Sequence, residues 1–365
     1  MKIAFHAPMK SPDHPVPSGD RQMARVLIEA LRLAGHEVSI ASQLRTFSRE
    51  GSHAEFWALR NEAEQEAARL LRLWQQDGAP DAWFCYHPYY KAPDLLGPVL
   101  SAEFSIPYIT AESSYSYRRN EGARKLAQDQ VAAGARQAAV NICFTRRDRE
   151  GLEEAIPDGR YATLAPFIDV APFQQLRKIV ADECRLLAVA MMRPGDKMDS
   201  YRMLAKALAL LLDLPWKLTI VGDGPARGEV QAAFAGIPAK RLDWAGEVEP
   251  RAIAGVLAAG DLYVWPGCGE AYGLSYLEAQ AAGLPVIAQR TAGVPEVVKD
   301  GKTGVLTPAG DVELFAAAVR RFLGDRSLCT LFGARARRFV LEERSLSAAA
   351  LRLGQIFKEF VEKAE

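Results

Sequence analysis

LYVWPGCGEAYGLSYLEAQAAGLPVIA, residues 262–288, decides the fold. Leu262–Trp265 is an apolar run of strand length, and Pro266-Gly267 ends it. From about Gly273 to Ala282 the residues favour a helix, and Gly283 stands where that helix should stop. Val286–Ala288 is a second short apolar run. Strand, loop, helix and strand follow one another without a long connection, which is the signature of a parallel, doubly wound sheet. Two acids, Glu270 and Glu278, flank Tyr272-Gly273-Leu274 where the helix begins.

The same alternation runs outward in both directions. Lys2–His6 reads as a strand. Ser18-Gly19-Asp20 and a helix over Arg21–Ala34 follow, then Gly35 and a strand over Glu37–Ala41. A long charged helix is expected over Glu55–Gln76. Strands are expected at Ala82–Tyr86, Tyr108–Ala111, Val140–Phe144 and Tyr161–Leu164. Pro166 to about Asp182 breaks the pattern. A second series has strands at Leu186–Met191, Lys217–Val221, Arg241–Trp244, Leu262–Trp265, Val286–Ala288 and Val305–Leu306. Helices at Tyr201–Leu212 and Val312–Leu323 lie among them, and Ser345–Lys363 reads as a final helix. The expected organisation is therefore an α/β domain over 1–168, a linker over 169–182, a second α/β domain over 183–344 and a terminal helix over 345–365. Ligands of such sheets bind beyond the carboxyl ends of the strands.

At 365 residues the chain is too long for one ordinary core, which suits two domains. Its formal net charge is zero, so no overall charge favours nucleic acid. Between Arg118 and Arg149 eight basic residues meet three acids, a local excess that suits an acidic acceptor, an anionic lipid surface or simply a solvated helix face. The five cysteines are scattered without a CxxC pair, which argues against a disulfide framework or structural zinc and fits a reducing cytoplasm. The opening MKIAFHAPMKSPDHP does not read as a signal peptide. No stretch reaches the roughly 18–20 continuous apolar residues of a membrane span.

Several strand ends in the second half carry residues suited to a phosphate-bearing, polyhydroxylated ligand. Arg193 and Lys197 stand on a Pro-Gly loop that could aim both cations at one diphosphate. Gly222 and Gly224 in GDGP either let backbone approach a flat ligand or, as the motif alone favours, simply turn the chain from strand to helix, and Gly246 and Val248 end another strand with the same two readings. Backbone N–H groups at Gly273, Leu274 and Ser275 would point at an anion. Glu278 and Glu270 suit paired sugar hydroxyls, with a general acid–base pair as the competing reading. His87 ends the strand before CYHPYYKAPDLLGP's aromatic run.

GEAYGLSYLEAQAAGLPVIAQRTAGVPEVVKDGKTGVLTPAGD resembles the donor-site signature of the retaining glycosyltransferases of the two-Rossmann-domain (GT-B) type, family 4. That signature reads E-x-F-G-x-x-x-x-E, then A-x-G-x-P-V-I/V-A, G-x-P-E-V-V, G-x-x-G and P-x-D. Tyr272 stands for the usual aromatic residue. The Arg193…Lys197 loop resembles the family's G-R-x-x-x-K-G, with Met192 and Met198 in place of its glycines. The likeness is strong over roughly Leu186–Asp311 and weaker before it. It implies two Rossmann-like domains facing across a cleft. It implies that Glu278 binds ribose hydroxyls, that Arg193 and Lys197 hold the diphosphate, and that Gly273 and Leu274 offer N–H groups to phosphate. Glu270 would contact the transferred sugar, His87 would line the sugar pocket, and Gly19 would sit in the glycine loop after the first strand. Where the family often has a histidine after a threonine, this chain has Thr110-Ala111-Glu112. Glu112 is either an acceptor ligand or a surface acid. With Tyr89 and Arg118 it marks the expected acceptor side.

The resemblance implies retaining transfer from a nucleotide-diphosphate sugar to a hydroxyl acceptor, with same-face attack. Arg193, Lys197 and a helix N-terminus would take the leaving group's charge without a metal, and the sequence holds no Asp-x-Asp. No cofactor is implied beyond the nucleotide-sugar co-substrate. Lipid headgroup, lipid-linked saccharide and soluble acceptors all fit. The expected place is the cytoplasm, with peripheral contact to the inner face of the membrane left open. A nucleotide-sugar epimerase and a catalytically inactive binding protein are the rival readings.

Overall fold

The computed structural model describes residues 1–16, 18–176 and 183–362. It divides the chain into two compact units, Met1–Ala165 together with the stretch from Leu346 onward, and Pro166–Ser345. The described part of the expected linker, residues 169–176, is counted with the second unit and buries Phe173 there. Residues 177–182 of that linker and 363–365 of the terminal segment lie outside the described residues.

The first unit is a parallel sheet of β1 (Lys2–His6), β2 (Glu37–Ile40), β3 (Ala82–Tyr86), β4 (Tyr108–Ala111), β5 (Val140–Cys143) and β6 (Tyr161–Thr163). The order is β2-β1-β3-β4-β5-β6. β3 is buried at every residue, AWFCY, as expected of a strand covered on both faces. Ser18 opens the first helix, Gly19–Leu33, by accepting from the Arg21 N–H. That cap brings the helix forward of its expected start at Arg21, so Gly19 is the first helical residue and not part of the loop. The final helix, Leu346–Phe360, packs on this first helix. Its Phe357 ring lies parallel to Phe84 of β3, with centroids 6.5 Å apart.

The second unit repeats the plan with β7 (Cys184–Val189), β8 (Trp216–Val221), β9 (Leu242–Gly246), β10 (Leu262–Val264), β11 (Val286–Gln289) and β12 (Gly304–Thr307). Its order is β12-β11-β10-β7-β8-β9. The chain winds outward from β7 through β8 to β9, then restarts beside β7 with β10 and winds the other way. The strand order thus reverses between β7 and β10. In the first unit it reverses between β1 and β3. A ligand crevice opens at the carboxyl ends of strands at such a reversal, because the two following loops leave in opposite directions.

Among the described residues no helix is long and apolar enough to cross a membrane.

Candidate active site

In the second unit the loops after β7 and β10 meet at the reversal. Lys197 was expected on the Pro-Gly loop. It is instead the second residue of the helix Asp196–Ala209, which begins directly after Gly195. Gly195 has φ 86°, so it turns the chain straight into the helix. Arg193 remains on the loop, and its side chain is exposed. Lys197 Nζ forms an ion pair with Glu270 Oε2, and both side chains are largely buried. The same ammonium lies 5.7 Å from the centre of the Trp265 ring.

The loop carrying Glu270 is held from below. Ser200 on the Lys197 helix accepts the Cys268 N–H at 2.8 Å, and Thr291 Oγ1 donates to the Gly267 carbonyl at 3.1 Å. Tyr276 donates its hydroxyl to the Trp265 carbonyl at 3.0 Å, and its ring lies beneath Gly273. A Cβ on Gly273 would stand 2.7 Å from that ring, at a backbone φ of 78°. Gly273 is the N-cap of the helix Leu274–Ala281, and no side chain caps that end. Its terminal N–H groups are therefore placed for an anion. Leu274 opens the helix, Tyr272 is buried behind the loop, and Glu278 is half-buried one turn further on.

The glycines of GDGP serve close approach of backbone to backbone. A Cβ on Gly222 would lie 1.9 Å from the Ala190 carbonyl oxygen, and one on Gly224 2.3 Å from that of Met192. The strand ends after β7 and β8 are thereby locked together, with Met192 N–H donating to the Asp223 carbonyl at 2.8 Å. Gly246, at φ 69°, accepts the Gly222 N–H at 2.7 Å, and Val248 lies half-buried just beyond β9.

A separate constellation occupies the reversal of the first unit. His87 follows β3 and Glu112 follows β4, and both take left-handed backbone, φ 60° and φ 56°. His87 Nδ1 lies 2.9 Å from Asp20 Oδ1, in the first turn of the helix after β1. The Tyr89 ring stacks on the imidazole, centroids 4.8 Å apart at 21°. Burial is the largest influence on His87 and works against its charge, but Glu112, Asp20 and Asp148 outweigh it and push its pKa up to about 9. Burial raises the Glu112 carboxyl to about 7, against the pull of His87. Glu112 is 7% exposed, which removes the surface-acid alternative. Arg118 lies exposed in the turn Tyr117–Arg119, and Gly19 is exposed with nothing within 4 Å of a Cβ.

Asp20 and Asp148 were not singled out from the sequence. Each sits in the first turn of a helix, where an acid reads as an ordinary dipole partner. The one signal was Asp20's place directly after Ser18-Gly19.

Among the described residues the one grouping of three metal-ligating side chains is His6, Cys85 and Asp94. Its carboxylate is already committed. Asp94 accepts from Trp83 Nε1 at 2.9 Å, the Tyr108 hydroxyl at 3.2 Å and the N–H groups of Leu96 and Gly97 at 3.0 and 2.9 Å. These bonds tie β3 and β4 to the helix Gly97–Glu103 and explain the buried acid without an ion.

Residues 183–325 match the family model of the glycosyl transferases group 1. The chain is 36% identical over 124 residues to sulfoquinovosyl transferase SQD2 of Arabidopsis thaliana, covering 33% of this chain and 24% of that one. It is 25% identical over 266 residues to D-inositol 3-phosphate glycosyltransferase of Corynebacterium efficiens, covering 66% of this chain and 62% of the relative. The chain thus spans less than two thirds of the length of these relatives. Among solved structures it is similar to sucrose-phosphate synthase of Thermosynechococcus elongatus, with TM-score 0.75, 19% identity and 98% of each chain covered. It is also similar to HepE of Anabaena, with TM-score 0.72 and 15% identity over 98% of this chain and all of that one. These likenesses show the fold: two parallel six-stranded α/β sheets, as in glycosyltransferases of the GT-B type. The family match falls wholly inside the second unit and spans Arg193, Lys197, Glu270 and Glu278.

Proposed function

We propose that this chain is a retaining glycosyltransferase that moves a sugar from a nucleotide-diphosphate donor to a hydroxyl acceptor. The observation that carries the reading is the Lys197–Glu270 pair at the strand reversal of the second unit, beside an uncapped helix N-terminus. A cation and N–H donors suit the diphosphate, and a carboxylate beside them suits the hydroxyls of the attached sugar. The Anabaena relative is described in complex with UDP and glucose, which supports a donor of this class.

On this reading Glu278 accepts hydrogen bonds from the ribose hydroxyls, and Glu270 from the transferred sugar. Tyr272 backs the loop, while Gly222, Gly224, Gly246 and Val248 line the approach of the base. As the sugar–oxygen bond breaks, negative charge grows on the departing phosphate. Lys197, Arg193 and the N–H groups of Gly273 and Leu274 stabilise it more in the transition state than in the ground state. The departing phosphate takes the acceptor's proton on the face it leaves, so no protein nucleophile is assigned. These groups supply the charge that a metal would otherwise supply, and the reaction is proposed to run without one. The acceptor is a hydroxyl of a lipid, a lipid-linked saccharide or a glycoconjugate precursor, with Glu112, Tyr89 and Arg118 on its side and His87 toward the transferred sugar. A cytoplasmic protein with peripheral membrane contact fits this assignment.

Incubation with a panel of nucleotide-sugars, with and without acceptors, tests it. Release of nucleoside diphosphate and a sugar joined in the donor's configuration, undiminished by a chelator, is expected. Sugar isomerisation without transfer would favour an epimerase. No turnover and no thermal protection by any nucleotide would overturn the reading.

A further inference from the structure

His87 is held at two places. Its Nδ1 meets Asp20 across the β1–β3 reversal, and its face lies on Tyr89. An ionised aspartate only accepts, so the proton of that bond sits on Nδ1. The left-handed backbone at His87 is an uncommon state for a residue with a Cβ, and such states persist where the surroundings over-determine them. The neighbouring strand end repeats the device at Glu112. Two consecutive strands therefore turn the same way to place an imidazole and a carboxyl together, and the helix after β1 brings the third group.

We propose that Asp20 is a positioning residue: its carboxylate accepts a hydrogen bond from His87 Nδ1–H, holds the ring against Tyr89 and stabilises the imidazolium, whose Nε2–H also donates, to a substrate oxygen. The choice of substrate oxygen, on the sugar or the acceptor, rests on the transferase reading above. The groups that act on the ring are Asp20 from the first helix, Glu112 after β4, Asp148 from the helix Arg146–Ala155 and Tyr89 from the following loop. Lys10 acts in turn on Asp20. With the imidazole charged at neutral pH, His87 is a donor and not a base. It steadies negative charge on an oxygen, while the carboxylates around it keep the local charge from becoming positive. Asn at position 20 would preserve the shape and an accepting oxygen but remove the charge.

The test is a histidine ¹⁵N titration of the full chain, with His87 identified by its loss in His87→Gln. In Asp20→Asn the His87 midpoint is expected to fall by about one pH unit. Turnover is expected to fall about tenfold with donor KM within about twofold, since the bond acts in the transition state. Asp20→Glu, which restores the charge, recovers part of both and serves if the asparagine variant does not fold. An unchanged midpoint overturns the proposal, and so does a moved midpoint with unchanged turnover in an active enzyme. If the parent transfers no sugar, the transferase reading fails, and the midpoint alone then decides whether Asp20 governs His87.

Discussion

Lys197 and Glu270 pair with each other at the point where the second sheet reverses its strand order. The lysine stands in the first turn of one helix, the glutamate in the loop before another. Each neutralises the other in a largely buried setting, where an unpaired charge would be costly. A diphosphate that draws Lys197 away would release Glu270 to a hydroxyl in the same event. Phosphate and sugar recognition are then coupled through one ion pair.

Lys197→Ala should therefore lower turnover more than it raises donor KM. Removing a donor to developing charge costs about 10²–10³ in kcat in comparable cases. Steady-state kinetics at saturating acceptor measure both constants. An unchanged kcat with only a raised KM would mean that Lys197 binds the ground state alone. Glu270→Gln, which leaves the lysine unpaired but keeps an acceptor oxygen, should weaken transfer more than nucleoside diphosphate binding.

Glu278 tests nucleotide recognition separately. It is half-buried on the helix Leu274–Ala281, a turn beyond the uncapped end. Hydrogen bonds to a charged group contribute about 1.5–3 kcal/mol, so Glu278→Ala should weaken nucleoside diphosphate binding roughly 10- to 100-fold. Calorimetric titration with the best nucleotide from the panel reads this directly. Equal affinity in the variant would remove the ribose role.

The fold was legible because inner strands such as β1, β3, β10 and β11 are short apolar runs between helix-forming segments, and parallel burial makes such runs stand out. Helix starts were less legible. Capping by Ser18 and the turn at Gly195 moved two helices forward, and this took Gly19 and Lys197 from loops into first turns. The helix Arg326–Glu343 was not read at all, since its arginine-rich sequence shows little apolar periodicity. Glu270 and Glu278 were legible because one loop and one short helix carry both. Asp20 from the helix after β1, His87 after β3 and Glu112 after β4 come together from three separate stretches of chain, and only the sheet order makes them neighbours.

The glycines of the second unit divide by what surrounds them. Gly222→Ala would drive a Cβ into the Ala190 carbonyl at a φ of 138°, against backbone and with no flexible side chain to yield. A cost of about 3 kcal/mol is expected from overpacking with strain. Gly228, in the helix Arg227–Ala233, has nothing within 4 Å of a Cβ. Gly228→Ala should instead stabilise by about 0.4–1 kcal/mol, chiefly by reducing the freedom of the unfolded chain. Scanning calorimetry of both variants should move the second unit's transition in opposite directions. A loss of stability in Gly228→Ala would contradict the open surroundings.

The first unit's cluster sets a pH dependence whose sign follows from its three shifts. His87 is raised from 6.5 to about 9, so between those values the folded chain holds a proton that the unfolded chain has released. Its stabilising contribution is complete below pH 6.5 and is lost as pH rises through about 9. Glu112 is raised from 4.5 to about 7, chiefly by burial, so the folded chain again holds the extra proton and stability again falls as pH rises across that window. Asp20 is lowered from 3.8. Burial, its largest influence, opposes the shift, but the bond and charge of His87 with the charge of Lys10 outweigh it, so its contribution is lost only in acid below 3.8. The two upper titrations belong to one interacting pair and should be removed together. Melting temperatures taken in steps from pH 3 to 9 are expected to decline for the parent between pH 5 and 9. The double variant His87→Gln/Glu112→Gln should flatten that decline and leave the loss below pH 3.8 smaller, because Asp20 no longer has its imidazolium partner. A decline of equal slope in the double variant would place the titrating groups elsewhere in the chain.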